Sequence, residues 1–417
     1  MTENFSMVAP HSKRPVSEDK IFAASRQAKE AAAKYGFENV INSTVGALLD
    51  DEGNLLVLPT VIDILKNLPP EEIAAYAPIA GLPEYLEAVK TATFRDCRPE
   101  GYIEAIATPG GSGAIRHTIW NYSEMGDYIL TSDWYWGPYK TIAEEHGRKI
   151  TTYKYFDENK NFNIKSFKEK LGELLKIQDR IVILLNSPAH NPTGFSLELS
   201  EWEEVIFTLK SFAENKNKKI FLFADIAYID FAGETNESRQ FMKLFGNLPE
   251  NILVIVSFSM SKGYTLYGMR SGAMICVTSN KNIAEEFKHV GQFSNRGVWS
   301  NGTRSAMKVL AEIFKNPDLL AKVEEERRIF NKMLFERAQA FVNEAKRVGL
   351  EICPYKSGFF ITIPCDNPSG VAEKLKKDNI FVVPLQSGIR FAVCSVSKEK
   401  CIKAPLKLLK AIESERA

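Results

Sequence analysis

The sequence predicts an α/β protein, a mostly parallel sheet clothed by helices and joined to a smaller α+β unit. Three observations predict it. Five short apolar runs, at residues 128–131, 181–186, 220–224, 252–258 and 273–277, have the length and β-branched content of strands buried on both faces. Between them lie stretches of helical spacing, one announced by Ser200 and Glu203 as a capping box; such alternation places helices on both faces of a sheet. From Asn316 the character changes. Pro317 suits a helix start, and Leu320, Val323, Phe330, Leu334, Phe341 and Ala345 recur at helical spacing along one long helix. Residues 349–396 then read as short strands and a helix.

The 417 residues suffice for a large core and two domains. The division expected is an N-terminal segment, 1–50, that returns to the small domain, a large domain at 51–315 and a small C-terminal domain at 316–417. Hydrophobic residues make up 45% and charged ones 25%, with a net charge of +1. Lysines and arginines are dispersed, so neither nucleic acid nor an anionic membrane is expected as a partner. No apolar run reaches the roughly 18 residues of a membrane span, and the first thirty residues lack a signal peptide's apolar stretch, so a cytoplasmic location is expected. Cys97, Cys276, Cys353, Cys365, Cys394 and Cys401 show no metal-ligand spacing and read as reduced, buried small hydrophobes. The five histidines are scattered and mark no metal site; His190 suits packing as well as a place beneath a ligand.

Residues 257–272, SFSMSKGYTLYGMRSG, place Lys262 directly after an apolar strand and Arg270 eight residues beyond it. A lysine at the mouth of two buried strands is desolvated, which lowers its pKa and suits it to form a Schiff base. Ser259 and Ser261 supply hydroxyls, and Arg270 a forked cation suited to phosphate. A phosphorylated aldehyde, pyridoxal phosphate, answers to this set. The same motif in isolation also describes a loop with an exposed lysine and a structural arginine.

Further segments add to it. The strand-like IVILLN runs into a polar turn carrying Asn191 and Pro192, and KIFLFAD ends in Asp225, with Tyr228 three residues on. A carboxylate there pairs with a protonated pyridine nitrogen, and Asn191 and Tyr228 can hydrogen-bond a phenolic oxygen. Singly, Asn-Pro is a common turn and a strand-end Asp a common helix cap.

In the order Asn191, Asp225, Lys262, Arg270, and in the wording AHNPTG and SFSMSKGYTLYGMRSG, the chain resembles the class I and II pyridoxal-phosphate aminotransferases of fold type I. It is most similar to their aspartate and aromatic amino-acid branch. The resemblance runs from Ile41 to Val396 and includes VGALLDDEGNLLVLP, containing Gly46, and YAPIAGLPEY, which begins at Tyr76. It implies a seven-stranded, mostly parallel sheet and a homodimer with shared active sites. It also gives the remaining residues their roles. The turn Gly110, Gly111, Ser112 opens a helix and is placed under the cofactor phosphate, at the positive helix end, with Ser259, Arg270 and Tyr76 of the neighbouring subunit completing the cup. Counting back eleven residues from Gly147 selects Trp136 as the ring that stacks on the pyridine, with Trp134 and Tyr135 as rivals. Where aspartate enzymes carry a histidine behind the pyridine-binding carboxylate, this chain has Tyr139. Arg390 matches the clamp on the substrate α-carboxylate, with Ile389 intervening after the glycine. Arg296 resembles the arginine lent across the dimer to a side-chain carboxylate, although Gly297, Val298 and Trp299 replace the usual Pro, Met and Tyr. Gly46, Trp136 and Asn191 complete the substrate contacts, and Trp134, Tyr135, Trp136, Phe359 and Phe360 suit a roomy pocket.

The expected function is a ping-pong aminotransferase in amino-acid metabolism, with Lys262, Asp225 and Tyr228 catalytic, an aspartate or aromatic donor, and 2-oxoglutarate as acceptor. Three alternatives share the scaffold: a lyase or decarboxylase, a non-catalytic ligand sensor in a transcription regulator, and a structural pseudo-enzyme. About forty residues before the first motif are too few for the sensor's DNA-binding module, and Lys262 argues against the pseudo-enzyme.

Overall fold

A computed structural model describes residues 6–14 and 20–416. Its centre is a seven-stranded sheet in the order Tyr102–Thr108, Gly272–Thr278, Ile252–Ser259, Lys219–Asp225, Arg180–Asn186, Tyr128–Ser132, Lys149–Tyr153. Gly272–Thr278 runs antiparallel to both its neighbours; the other neighbouring pairs are parallel. The five expected runs all become strands. The two edge strands were not anticipated, for a physical reason. Lys149–Tyr153 is KITTY and Tyr102–Thr108 is YIEAIAT, each partly open to solvent, so neither shows a continuous apolar run.

The helix between the strands Arg180–Asn186 and Lys219–Asp225 spans Leu199–Phe212. Its start lies before the expected Ser200 and Glu203 box. Glu201 is the residue that reaches back, accepting from the Glu198 N–H at 2.7 Å and from the Phe162 N–H at 2.8 Å. The long helix is Pro317–Val348. Asn316 Oδ1 accepts from the Asp318 N–H at 3.0 Å, and Gly349 ends the helix at φ 77°. Val323, Leu334, Phe341 and Ala345 on its apolar stripe are buried.

A second core forms around that helix. The antiparallel strands Phe360–Pro364, Gly388–Ala392 and Val383–Pro384 pack there, and Ile41–Asn42 pairs in parallel with Ile380–Phe381. The closing helix Lys398–Arg416 was not anticipated; Pro405 inside it breaks the pattern that announces a helix. All six cysteines are free and buried. No helix among the described residues is long and apolar enough to cross a membrane.

Candidate active site

Neighbouring parallel strands bring residues at their carboxyl ends into one row: Asn186 is the register partner of Asp225, and Asp225 of Ser257, two residues before its strand ends. Chain diverging from the carboxyl ends of such strands leaves a crevice that suits a ligand. A cavity of about 290 Å³ lies there, lined by Asn186, Asp225, Lys262, Arg270 and Arg390 among others.

Lys262 sits in the helical turn Met260–Gly263 that follows the strand Ile252–Ser259. Its Nζ donates to the Gly46 carbonyl at 2.5 Å and lies 4.7 Å from the centre of the Tyr267 ring. Burial pushes its pKa down to about 8, and the Arg390 and Arg270 charges push the same way. About a tenth of this amine is therefore unprotonated at pH 7, far more than of an ordinary lysine, as a nucleophile requires.

Asp225 is buried at the other end. Tyr139 donates its hydroxyl to Asp225 Oδ2 at 2.5 Å, and the Ala227 N–H reaches Oδ1 at 3.2 Å. Burial raises the Asp225 pKa, while those two donors oppose the rise. Tyr139, 86 positions away in the chain, thus stands behind Asp225, at the position where the resemblance puts a histidine in aspartate enzymes. Asn186, which the sequence analysis did not single out, braces the same end. Its Oδ1 accepts from the Asn191 N–H at 2.7 Å, and its Nδ2 donates to the Asp225 carbonyl at 2.7 Å. Asn191 Nδ2 in turn donates to the Tyr228 hydroxyl at 3.3 Å.

The glycine turn closes the third side. Gly110 has φ 66°, and a Cβ there would stand 2.8 Å from Arg270 Nη2, so glycine lets the guanidinium settle over the turn. Gly111 and Ser112 open the helix Gly110–Tyr122 and line the cavity with Ser259 and Ser261. Arg270 Nη1 donates to Ser261 Oγ at 3.1 Å, and Ser259 Oγ accepts from the Ser261 N–H at 3.3 Å.

Arg390, in the strand Gly388–Ala392, reaches the cavity despite the intervening Ile389. Nη2 donates to the Thr44 carbonyl at 3.1 Å and Nη1 to Asn191 Oδ1 at 3.4 Å, with the guanidinium 4.3 Å over the Phe360 ring. Of the aromatic candidates, Trp136 and Phe360 line the cavity, while Trp134 packs against the central core. Gly46 also lines it; a Cβ there would stand 2.9 Å from Phe360 Cζ. His190 is packed instead, its Nδ1 2.8 Å from Thr193 Oγ1 and its ring 4.7 Å from that of Tyr155. Tyr76 and Arg296 do not line this chain's cavity. Tyr76 is 86% exposed, and Arg296 donates to Ser300 Oγ at 2.7 Å on the surface.

The residues present fit pyridoxal phosphate. Asp225 is a buried carboxylate with no salt bridge to a cation among the described residues, as a protonated ring nitrogen needs. Ser257 Oγ is buried without a partner among them, 3.1 Å from where a Cβ on Gly111 would stand. Lys262, Arg270 and Arg390 against the single carboxylate Asp225 make the lining cationic, which suits phosphate and carboxylate groups.

Comparison with known proteins agrees. Residues 38–405 match the family model described as aminotransferase class I and II. The solved structure of an aminotransferase from Anaerococcus prevotii superposes with a TM-score of 0.96 at 43% identity, covering 98% of this chain and all of that one. A mitochondrial aspartate aminotransferase of Xenopus tropicalis is 29% identical over 73% of this chain and 71% of its own length. An aromatic-amino-acid aminotransferase from Burkholderia pseudomallei, solved covalently bound to pyridoxal phosphate, shares the fold at a TM-score of 0.78 and 21% identity, covering 97% of this chain and all of that one. The chain belongs to the class I and II aminotransferases, enzymes that depend on pyridoxal phosphate.

Proposed function

We propose that the enzyme moves the amino group of L-aspartate or an aromatic L-amino acid to 2-oxoglutarate in a ping-pong cycle, as a homodimer with shared sites. The observation that carries this reading is a near-neutral amine and a forked cation in one cavity, Lys262 with its pKa held at about 8 and Arg390 braced by Thr44 and Asn191. When bound, pyridoxal phosphate supplies an aldehyde that captures the amino group and a ring that takes up the electron pair left at the substrate α-carbon.

The protein's own part is division of labour. Lys262 takes the proton from the α-carbon as a general base and returns it as an acid. Arg390 grips the α-carboxylate and so fixes which bond faces that amine. Asp225 holds negative charge against the pyridine nitrogen, and Asn191 and Tyr228 meet the phenolic oxygen. The turn Gly110, Gly111, Ser112, with Ser259, Ser261 and Arg270, holds the phosphate, and Trp136 covers the ring. Tyr76 and Arg296, outside this chain's cavity, serve the neighbour's phosphate and the substrate side chain.

Initial rates of glutamate formation, with each donor and 2-oxoglutarate varied together, test this. Parallel double-reciprocal lines are expected. Converging lines refute the ping-pong cycle, and ammonia or carbon dioxide released without a 2-oxo acid acceptor replaces the transferase by a lyase or decarboxylase.

A further inference from the structure

Behind Lys262 lies a buried charge network outside the cavity described above. Asp230 follows Tyr228 by two positions in the turn Ile229–Phe231. Its Oδ1 accepts from Arg239 Nη2 at 2.7 Å and lies 3.7 Å from Arg327 Nη1 on the long helix. Arg327 also donates through Nε to the Gly263 carbonyl at 2.9 Å, and its guanidinium lies 5.0 Å over the Tyr264 ring. Gly263 is the residue after Lys262, and a Cβ on it would stand 2.0 Å from Asp230 Oδ2, so only glycine lets the carboxylate seat there.

We propose that Asp230 and Arg327, steadied by Arg239, are positioning residues that clamp the backbone of Gly263 and thereby set where Lys262 Nζ stands in the cavity. This rests on the reading of Lys262 as the cofactor-bearing lysine.

Three features separate such a clamp from ordinary packing. The carboxylate and the guanidinium meet the same residue from two sides, one against its α-carbon and the other on its carbonyl. Arg239 is held by the Thr93 and Thr235 carbonyls at 3.0 and 2.9 Å, so Asp230 is anchored to segments separate from the Lys262 turn. The network also borders a cleft of about 800 Å³. Close packing does not fill that side, and the ion pairs with their hydrogen bonds fix the geometry there. Burial opposes ionisation of Asp230, but the Arg327 and Arg239 charges win and hold its pKa down to about 2, so the pairs persist across the working pH range. The Asp230 carbonyl accepts from Asn331 Nδ2 at 2.8 Å, which ties this turn to the same long helix that carries Arg327.

The test uses enzyme loaded with pyridoxal phosphate and follows the pH titration of its visible absorption band together with steady-state kinetics. Arg327→Met removes both the charge and the Gly263 contact. It is expected to displace the band's midpoint by about 0.5 pH unit or more and to lower kcat about tenfold, with KM within about twofold. Arg327→Lys, which keeps a charge for Asp230, should recover part of both. A lowered melting temperature with midpoint and kcat at wild-type values overturns the proposal, because a packing role does only that. Should Arg327→Met fail to fold, Gly263→Ala presses on the same carboxylate from the other side, and an unchanged midpoint there overturns it equally. Cofactor that borohydride reduction still fixes covalently to Lys262→Ala protein refutes the reading of Lys262 itself, whatever the network variants do.

Discussion

Tyr139→Phe deletes the hydroxyl that donates to Asp225 Oδ2 at 2.5 Å and keeps the ring that packs edge-on against Trp136 at 5.7 Å. Both partners are buried, so water does not replace the lost donor. A hydrogen bond to a charged group contributes about 1.5 to 3 kcal/mol, which is about one to two pH units in the partner's ionisation. The hydroxyl favours the ionised carboxylate, so its loss raises further an Asp225 pKa that burial has already raised. The sign of the pH dependence follows. Above the variant's Asp225 pKa the cofactor-free variant lacks the full 1.5 to 3 kcal/mol of folding stability, an estimate from the same hydrogen-bond scale. As pH falls through that pKa the carboxyl takes up its proton, needs the donor less, and the deficit shrinks. Denaturant unfolding of wild type and variant, from alkaline pH down through the carboxyl's titration, measures it. A deficit below about 0.5 kcal/mol at the alkaline end refutes the argument that Tyr139 stabilises a buried charge.

Lys262→Ala should abolish turnover while the protein still folds and holds pyridoxal phosphate non-covalently; transamination above a trace would remove Lys262 from the mechanism. Covalent uptake of the cofactor by cofactor-free protein should speed up as pH rises through about 8, where Lys262 loses its proton, and a rate that rises only near the ordinary lysine value would contradict the burial argument. For the same reason Lys262 opposes folding more weakly as pH rises from about 8 toward the unfolded-state value, because the unfolded chain binds the extra proton. Mixing Lys262→Ala protein with Tyr76→Phe, Arg296→Ala protein should rebuild one competent site per mixed dimer, and no recovered activity after subunit exchange would exclude shared sites. Arg296→Ala should weaken dicarboxylic substrates by about 2 to 4 kcal/mol and spare aromatic donors; equal losses would show that Arg296 does not read the side chain.

What was legible in the sequence follows burial. Strands with both faces covered announce themselves as apolar runs, which is why residues 181–186, 220–224 and 252–258 could be placed, and with them the polar residues just beyond their ends: Asn191, Asp225 and Lys262. Edge strands such as Lys149–Tyr153 carry no such mark because solvent takes one side. Pro405 hid the last helix in the same way, by breaking the pattern without breaking the element. Contacts between distant segments leave no periodicity at all. Asn186 on the Asp225 carbonyl and Arg327 on Gly263 depend on how the strands and the long helix are stacked, which no local pattern records, and Tyr139 behind Asp225 was legible only through the family's spacing.

Arg296 and Tyr76 mark a different boundary. The fold of one chain brings Lys262, Asp225 and Arg390 to one cavity, the first two from strand ends of the seven-stranded sheet and the third from the small three-stranded sheet. It leaves both of these residues on the surface, Tyr76 86% exposed and Arg296 held to Ser300. In the proposed reading, groups common to every amino acid, the amine and the α-carboxylate, are met from within the chain. The group that differs between substrates, the side chain, is met in this reading by a residue from outside it. Gly297 beside Arg296 has open space where a Cβ would stand, so the arginine has room to swing toward a carboxylate or away from an aromatic ring. On that proposal the enzyme can change its donor without disturbing Lys262, Asp225 or Arg390, and separating the subunits should abolish the discrimination.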